Sequence, residues 1–168
     1  MFYKEKANTE NYTLTQHDAL PILVEDLKWR YATKKMNGES IPQEKLDYIL
    51  EATRLTPSSS GLQPYRVFVI TNPELLEKIK VIANGQSQVT DCSHLLVFAS
   101  WDGYSSERIG DVFSKIVKER GLASDAMEEY RKSLWGAYKN RGAEWQSIHA
   151  TKQAYIALGL AMAAAAEQ

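Results

Sequence analysis

Pro57-Ser58-Ser59-Ser60-Gly61-Leu62-Gln63-Pro64-Tyr65 is the stretch from which the rest of the chain can be read. Two prolines, a glycine and a run of serines make it a loop. Upstream, Leu46, Ile49, Leu50 and Thr53 recur with a period near 3.6, which predicts a helix with one apolar stripe that ends at Thr56. Downstream, Tyr65 to Thr71 (YRVFVIT) is rich in aromatic and β-branched residues and predicts a strand. The loop supplies hydroxyls, an amide and a glycine-loosened backbone. These suit a polyol chain and a flat heterocycle, and an ordinary polar loop before a strand reads the same way.

Working outward toward the amino terminus, Ser40 and Gln43 have the spacing of a capping box, with Pro42 suited to the first turn. Val24 to Ala32 predicts a first helix with Leu27 and Tyr31 on one face. Toward the carboxy terminus, Asn72-Pro73 caps a helix facing inward through Leu76, Ile79 and Ala83 and stopping at Gly85. Cys92 to Ser100 (CSHLLVFAS) is almost continuously apolar, as in a strand covered on both faces. Glu107 to Arg120 turns Ile109, Val112, Phe113, Ile116 and Val117 inward, with Gly121 as C-cap, and Ser124 to Asn140 is a helix bearing Tyr130, Leu134, Trp135 and Tyr138. Glu144 to Gln168 is a last helix whose later part, AYIALGLAMAAAA, is apolar all round. Such a helix is expected to be buried on every side, which suits a dimer interface better than one small subunit. The sum is an α+β domain, helices around a few strands, with no repeat or internal linker.

The 168 residues, 44% apolar and 24% charged, are ordinary for one globular domain. A net charge of −1 gives no reason to expect nucleic acid or an anionic membrane as partner. The most apolar stretch, Ala154 to Ala166, is too short to cross a hydrocarbon layer of roughly 30 Å. The lone cysteine, Cys92, excludes an intrachain disulfide and fits a reducing cytoplasm; having no basic neighbour, it reads as a buried, unreactive thiol. No G-x-S-x-G elbow, H-E-x-x-H zinc motif, P-loop or G-x-G-x-x-G loop is present, and His17, His94 and His149 find no triad.

Residues 1–16 lack periodicity and predict a disordered arm. His17-Asp18-Ala19-Leu20-Pro21-Ile22 looks like the translated end of a common sequencing adapter. Residues 1–22 are therefore read as a non-native arm and 23–168 as the domain. At the other end, Gln168 closes a helical run with no capping residue beyond it, which reads as a cut in a longer protein.

Three short segments hold the remaining chemistry. Trp29-Arg30-Tyr31-Ala32-Thr33-Lys34-Lys35 clusters cations fit for a phosphate, although a solvated helix end has the same composition. The serine loop is the second. Asn84-Gly85-Gln86-Ser87-Gln88 offers amides that can reach a ring carbonyl, or simply a helix-ending turn. Their order is more specific than any one of them. R-x-x-T-K, then P-S-S-x-x-x-Q-P-Y about 25 residues on, then an apolar strand after Asp91-Cys92-Ser93-His94, resembles the nitroreductase family of FMN enzymes. Ala143-Glu144-Trp145 and Lys152-Gln153-Ala154-Tyr155 are similar to that family's central helix, so the resemblance runs from about Leu23 to Gln168.

The resemblance implies a homodimer with FMN at the subunit interface. Arg30 and Lys34 would contact the phosphate or ribityl end, with Tyr31 and Ala32 beside them, Ala32 standing where a serine is frequent. Pro57, Ser58 and Ser59 would come from the partner and pack near the isoalloxazine, and Gln63 would be more structural. Gln88 would lie near N1 and the C2 carbonyl, where some relatives have lysine, with Gln86 or Asn84 as the alternative register. Trp135 and Tyr138 would border the substrate side. The implied activity is a ping-pong cycle in which NAD(P)H reduces the flavin and a nitroaromatic, quinone or other small electrophile is then reduced in the same slot. The cofactor carries this chemistry, so no catalytic side chain is required. Relatives continue into a loop near flavin N5 and a late basic segment; without them, weak flavin binding is expected. A dehalogenase-like enzyme on the same scaffold, or a non-catalytic flavin-binding or dimerisation module, are the competing readings.

Overall fold

The computed structural model describes residues 22–168; the expectations for the arm, His17 among them, lie outside the described residues. In chain order the elements are α1 (Ile22–Trp29), α2 (Gln43–Arg54), β1 (Tyr65–Ile70), α3 (Pro73–Ile82), the short α4 (Gln88–Asp91), β2 (Leu95–Ser100), α5 (Ser106–Glu119), α6 (Glu128–Tyr138) and α7 (Ala143–Glu167). The fold is α+β: helices surround one small antiparallel sheet in which Tyr65 lies opposite Ser100 and Ile70 opposite Leu95.

Three of the local helix-end signals hold. Asn72 caps α3 by accepting from the Leu75 N–H at 2.9 Å, with Pro73 in the first turn. Gly121, at φ 61°, ends α5 in a Schellman turn: its N–H reaches the Lys118 carbonyl and the Leu122 N–H the Val117 carbonyl. At the end of α3 the N–H of Gly85 closes on Lys80, and Asn84 shares the left-handed conformation at φ 55°.

Four expectations are corrected. The capping box fails because α2 begins at Gln43: Pro42 is the N-cap, Ser40 lies two residues outside the helix, and the Gln43 amide is turned to Asp47. The first helix stops at Trp29, short of Ala32, so Leu27 and Tyr31 share no buried face. Lys28 pairs back to Glu25, and no acid follows Asp26 before Glu39 to neutralise Arg30, Lys34 and Lys35 in a longer helix. The strand expected from Cys92 starts only at Leu95 and is half-covered, because Leu96 and Phe98 pack on Ile49, Ala161 and Ala164 while Ala99 on the other face is exposed. The helix expected from Ser124 starts at Glu128, after turns closed by Ala126 onto Ala123 and Glu128 onto Asp125.

For α7 the single subunit shows which side it covers. Ala150, Ala154, Ala157, Ala161 and Ala164 form a buried stripe along it; Ala161 and Ala164 pack on α2 and the sheet, and Ala150 enters the main core. Tyr155 is 68% exposed, and Ile156, Leu160 and Met162 are also open. Within one subunit the helix is buried on one side. A helix of mostly alanine has an apolar surface everywhere, and composition does not say which side is covered.

The main core gathers Leu62, Tyr104, Ile109, Phe113, Leu134, Tyr138 and Ala150, with Trp101, Trp135 and Trp145 packed against it. Leu62 belongs to the serine loop and is 1% exposed, so that loop is pinned to the core directly.

Candidate functional site

The serine loop is built around a short 3-10 turn, Ser59–Gly61. Ser60 (φ 54°) and Gln63 (φ 42°) both occupy the left-handed region, which side chains enter at a cost. Contacts on every side hold that shape. The Ser58 hydroxyl accepts from the Gln63 N–H at 2.8 Å. The Gln63 amide donates to the Arg54 carbonyl at 2.7 Å and to the Thr56 carbonyl at 3.0 Å, tying the loop to the end of α2. Gln63 is thus a staple of the loop. The Ser59 N–H donates to Oε1 of Gln153 on α7 at 2.8 Å, its hydroxyl lies 3.3 Å from the Tyr138 hydroxyl, and Tyr130 donates to the Ser60 hydroxyl. Pro57 is exposed at the loop's start, and Ser58 and Ser59 are half-buried.

Tyr138 sits in an aromatic box. Its ring meets Tyr104, Trp145 and His149 edge-on at centroid distances of 5.0, 5.4 and 5.5 Å. His149 stacks on Trp145 at 4.8 Å, and its Nδ1 lies 2.6 Å from the Tyr104 hydroxyl. Burial holds the Tyr104 hydroxyl protonated well above its ordinary range, so it donates and His149 Nδ1 accepts. Burial, with Lys152 adding to it, lowers the His149 pKa and favours the neutral ring. Gln146 braces the box by accepting from the Tyr104 N–H and donating to the Arg141 carbonyl. Trp135 is half-buried beside it.

The basic segment is arranged differently. Arg30, Tyr31, Ala32 and Lys34 are exposed and lie outside any helix or strand. Gln88, at the start of α4, reaches the Thr33 carbonyl in a long contact of 3.4 Å, and Lys35 pairs with Asp91 at 2.5 Å. Lys35 lowers the Asp91 carboxyl pKa. Among the described residues no carboxylate pairs with Arg30 or Lys34. Of the two amides proposed for one role, Gln88 meets the basic segment; Gln86 is exposed, and its backbone closes the turn after α3. Cys92 is half-buried, its thiol donates to the Val89 carbonyl, and burial pushes its pKa up, away from reactivity.

The structure therefore brings the sequence candidates together in two groups: Arg30–Lys34 with Gln88, and Pro57–Gln63 with Tyr138. Gln153, quoted in the sequence only as part of a family-like helix, and Gln146 and Tyr104, not singled out there, join the second group. Gln146 and Gln153 were findable there, because both fall on the helical stripe of Ala150 and Ala157, where a polar residue has to find a buried partner.

Helices packed on a small sheet, with polar groups gathered in a basic segment and a serine loop, define the class as an α+β domain. A model of the nitroreductase family matches residues 27–168. YfkO of Bacillus subtilis (strain 168), an NAD(P)H nitroreductase by name, is 31% identical over 153 residues, which cover 86% of this chain and 69% of that protein. The major NAD(P)H-flavin oxidoreductase of Aliivibrio fischeri is 30% identical over 151 residues, covering 83% of this chain and 67% of its own length. Among solved structures, ydfN of Bacillus subtilis superposes with a TM-score of 0.73 at 22% identity, over 85% of this chain and 69% of that one. A protein of Exiguobacterium sibiricum 255-15, described as a nitroreductase in complex with FMN, does so at 0.70 and 22%, over 86% and 70%. These two likenesses are of fold. The chain belongs to the nitroreductase family, a family of oxidoreductases. No helix among the described residues is long and apolar enough to cross a membrane.

Proposed function

We propose that the protein is an FMN-dependent oxidoreductase that draws reducing equivalents from NAD(P)H and delivers them to nitroaromatics, quinones or similar small conjugated electrophiles, working as a cytoplasmic homodimer. The observation that carries the reading is the meeting of Gln88 with Thr33. It puts an amide that suits a ring carbonyl next to a segment whose Arg30 and Lys34 have no acid partner among the described residues. A ligand with a phosphate at one end and a carbonyl-bearing ring at the other matches that donor set. The names of the Aliivibrio relative and the Exiguobacterium structure point the same way.

In this reading Arg30 and Lys34 hold the phosphate and ribityl end, with Tyr31 and Ala32 beside them. Gln88 faces the pyrimidine side of the ring, with Gln86 further out. Pro57, Ser58 and Ser59 of the partner subunit pack against the ring, Gln63 holds their loop, and Trp135 and Tyr138 border the substrate side. Bound FMN supplies the chemistry, accepting a hydride from NAD(P)H and returning two electrons to the acceptor in a ping-pong cycle. The side chains bind, orient and leave an open stacking slot. The exposed row of Tyr155, Ile156 and Met162 on α7 supports the homodimer, because a helix this apolar on its open side is stabilised by a second copy.

The test is an anaerobic titration. The chain is run through a sizing column equilibrated with excess FMN, and the complex is treated with NADPH or NADH and then a quinone. Flavin that travels with a dimer above the buffer level, bleaches on reduction and recovers on quinone addition is expected. A folded chain that takes up no flavin from excess FMN overturns the reading. Bound flavin that neither nucleotide bleaches makes the protein a flavin-binding module without this activity.

A further inference from the structure

We propose that Gln153 is a positioning residue that sets the conformation of the serine loop, with Tyr138 as a second hold. How Ser58 and Ser59 face their surroundings is then dictated by α7 and α6 of their own subunit. The consequence for flavin rests on the function proposed above; the conformational part rests on geometry alone.

Gln153 is 8% exposed and lies on the inner face of α7, in a stripe otherwise built of Ala150, Ala154 and Ala157. A buried amide on such a face costs free energy unless it is hydrogen-bonded. Its Oε1 takes the Ser59 N–H at 2.8 Å. One residue on, Ser60 is at φ 54° and ψ 20°, and Gln63 at φ 42° follows. Two non-glycine residues in the left-handed region keep that shape only where their surroundings over-determine it. The second hold is the Tyr138 hydroxyl on Ser59 Oγ, and Tyr138 is itself fixed among Tyr104, Trp145 and His149. The Ser58–Gln63 bond is internal to the loop and does not orient it against the helices. Gln153 is the contact that ties the loop backbone to α7.

The experiment is residue-resolved amide hydrogen exchange on the full chain as wild type, Gln153→Met and Gln153→Glu, with FMN affinity measured alongside. Methionine keeps the volume and removes the acceptor; glutamate keeps an acceptor oxygen. The Ser59 amide is expected to be protected in the wild type and to exchange about a hundredfold faster in Q153M, while the core amides of Ile109 and Phe113 are unchanged and Q153E retains the protection. The FMN dissociation constant is expected to rise about tenfold in Q153M and to recover in Q153E. A Ser59 amide that is unprotected in the wild type, or equally protected in Q153M, overturns the proposal. Should Q153M not fold, Gln153→Asn takes its place, because its shorter side chain leaves the acceptor out of reach of the Ser59 N–H, and unchanged exchange across residues 58–61 overturns the proposal equally. Exchange that responds while FMN affinity stays constant leaves Gln153 as the positioning residue and removes the flavin-side reading of Ser58 and Ser59. A wild type that binds no FMN refutes the functional reading, and exchange still decides the role of Gln153.

Discussion

Between Ser58 and Gln63 the polar groups point inward to partners: Ser58 to the Gln63 amide, Ser59 to Gln153 and Tyr138, Ser60 to Tyr130, and Gln63 to two carbonyls at the end of α2. Between Arg30 and Lys35 most side chains face solvent; apart from backbone bonds of Arg30 and Thr33 to their own neighbours, the segment is tied to the rest of the fold by one long amide contact and the Lys35–Asp91 ion pair. The first region has its shape before anything binds. The second keeps its cations hydrated and leaves its ordering to an anion. On the function proposed above, a preformed ring-side wall would lower the cost of binding, and a pliant cationic end would secure the phosphate without burying charge in the free protein. Mutations in the two regions should therefore differ in kind: stability falls with the first, affinity with the second.

The largest effect is expected at Leu62, the loop residue that enters the core. Leu62→Ala should destabilise the protein by about 2–5 kcal/mol, because the core around Ile109 and Phe113 closes only partly over the cavity. Denaturant unfolding measures this, and a loss below about 1 kcal/mol would mean that the loop is not anchored as described.

Next come Arg30→Ala and Lys34→Ala. On the proposed function each would remove one charge-assisted contact worth about 1.5–3 kcal/mol, so FMN binding should weaken by about tenfold or more per substitution. The melting temperature should not move, since both side chains are exposed. A melting temperature that falls while affinity holds would reverse the comparison. Gln63→Met is the intermediate case: it strips the donor from the Arg54 and Thr56 carbonyls and should cost about 1–3 kcal/mol, with any change in flavin affinity following from the loosened loop.

The same contrast separates what was legible in the sequence from what was not. Asn72 and Gly121 announce helix ends through bonds made within a few residues, so their type and spacing suffice. Ser40 and Gln43 have the same kind of spacing and fail, because Pro42 takes the cap and the helix starts one residue later. The basic segment, the serine loop and Gln88 could be picked out one by one, and their order carried the family. That Gln88 meets Thr33, or that Ser59 meets Gln153, depends on contacts between residues 55 and 94 positions apart, which no local pattern encodes. The side of α7 that is buried was hidden for the opposite reason: alanine presents the same surface all round, and only Gln146 and Gln153 mark the inner stripe.

The smallest expected effect is a pH dependence, and it also separates the two regions. Burial lowers the pKa of His149 in the folded state, so its contribution to stability is present above the unfolded value of about 6.5 and is lost as pH falls through the lower folded value. The physical cause is local. A protonated ring places a second N–H against the Tyr104 hydroxyl, which is held protonated and now has no acceptor at Nδ1. Because this ring helps to seat Tyr138, acid should loosen the serine loop first. Below about pH 6.5, the unfolding free energy should decline in the wild type more steeply than in His149→Phe. The protection factor at Ser59, corrected for the intrinsic slowing of exchange in acid, should fall while that at Thr33 stays as it was. Equal acid sensitivity at both amides would place the titration outside the aromatic box and remove the distinction between a loop held from inside the fold and a segment held from outside.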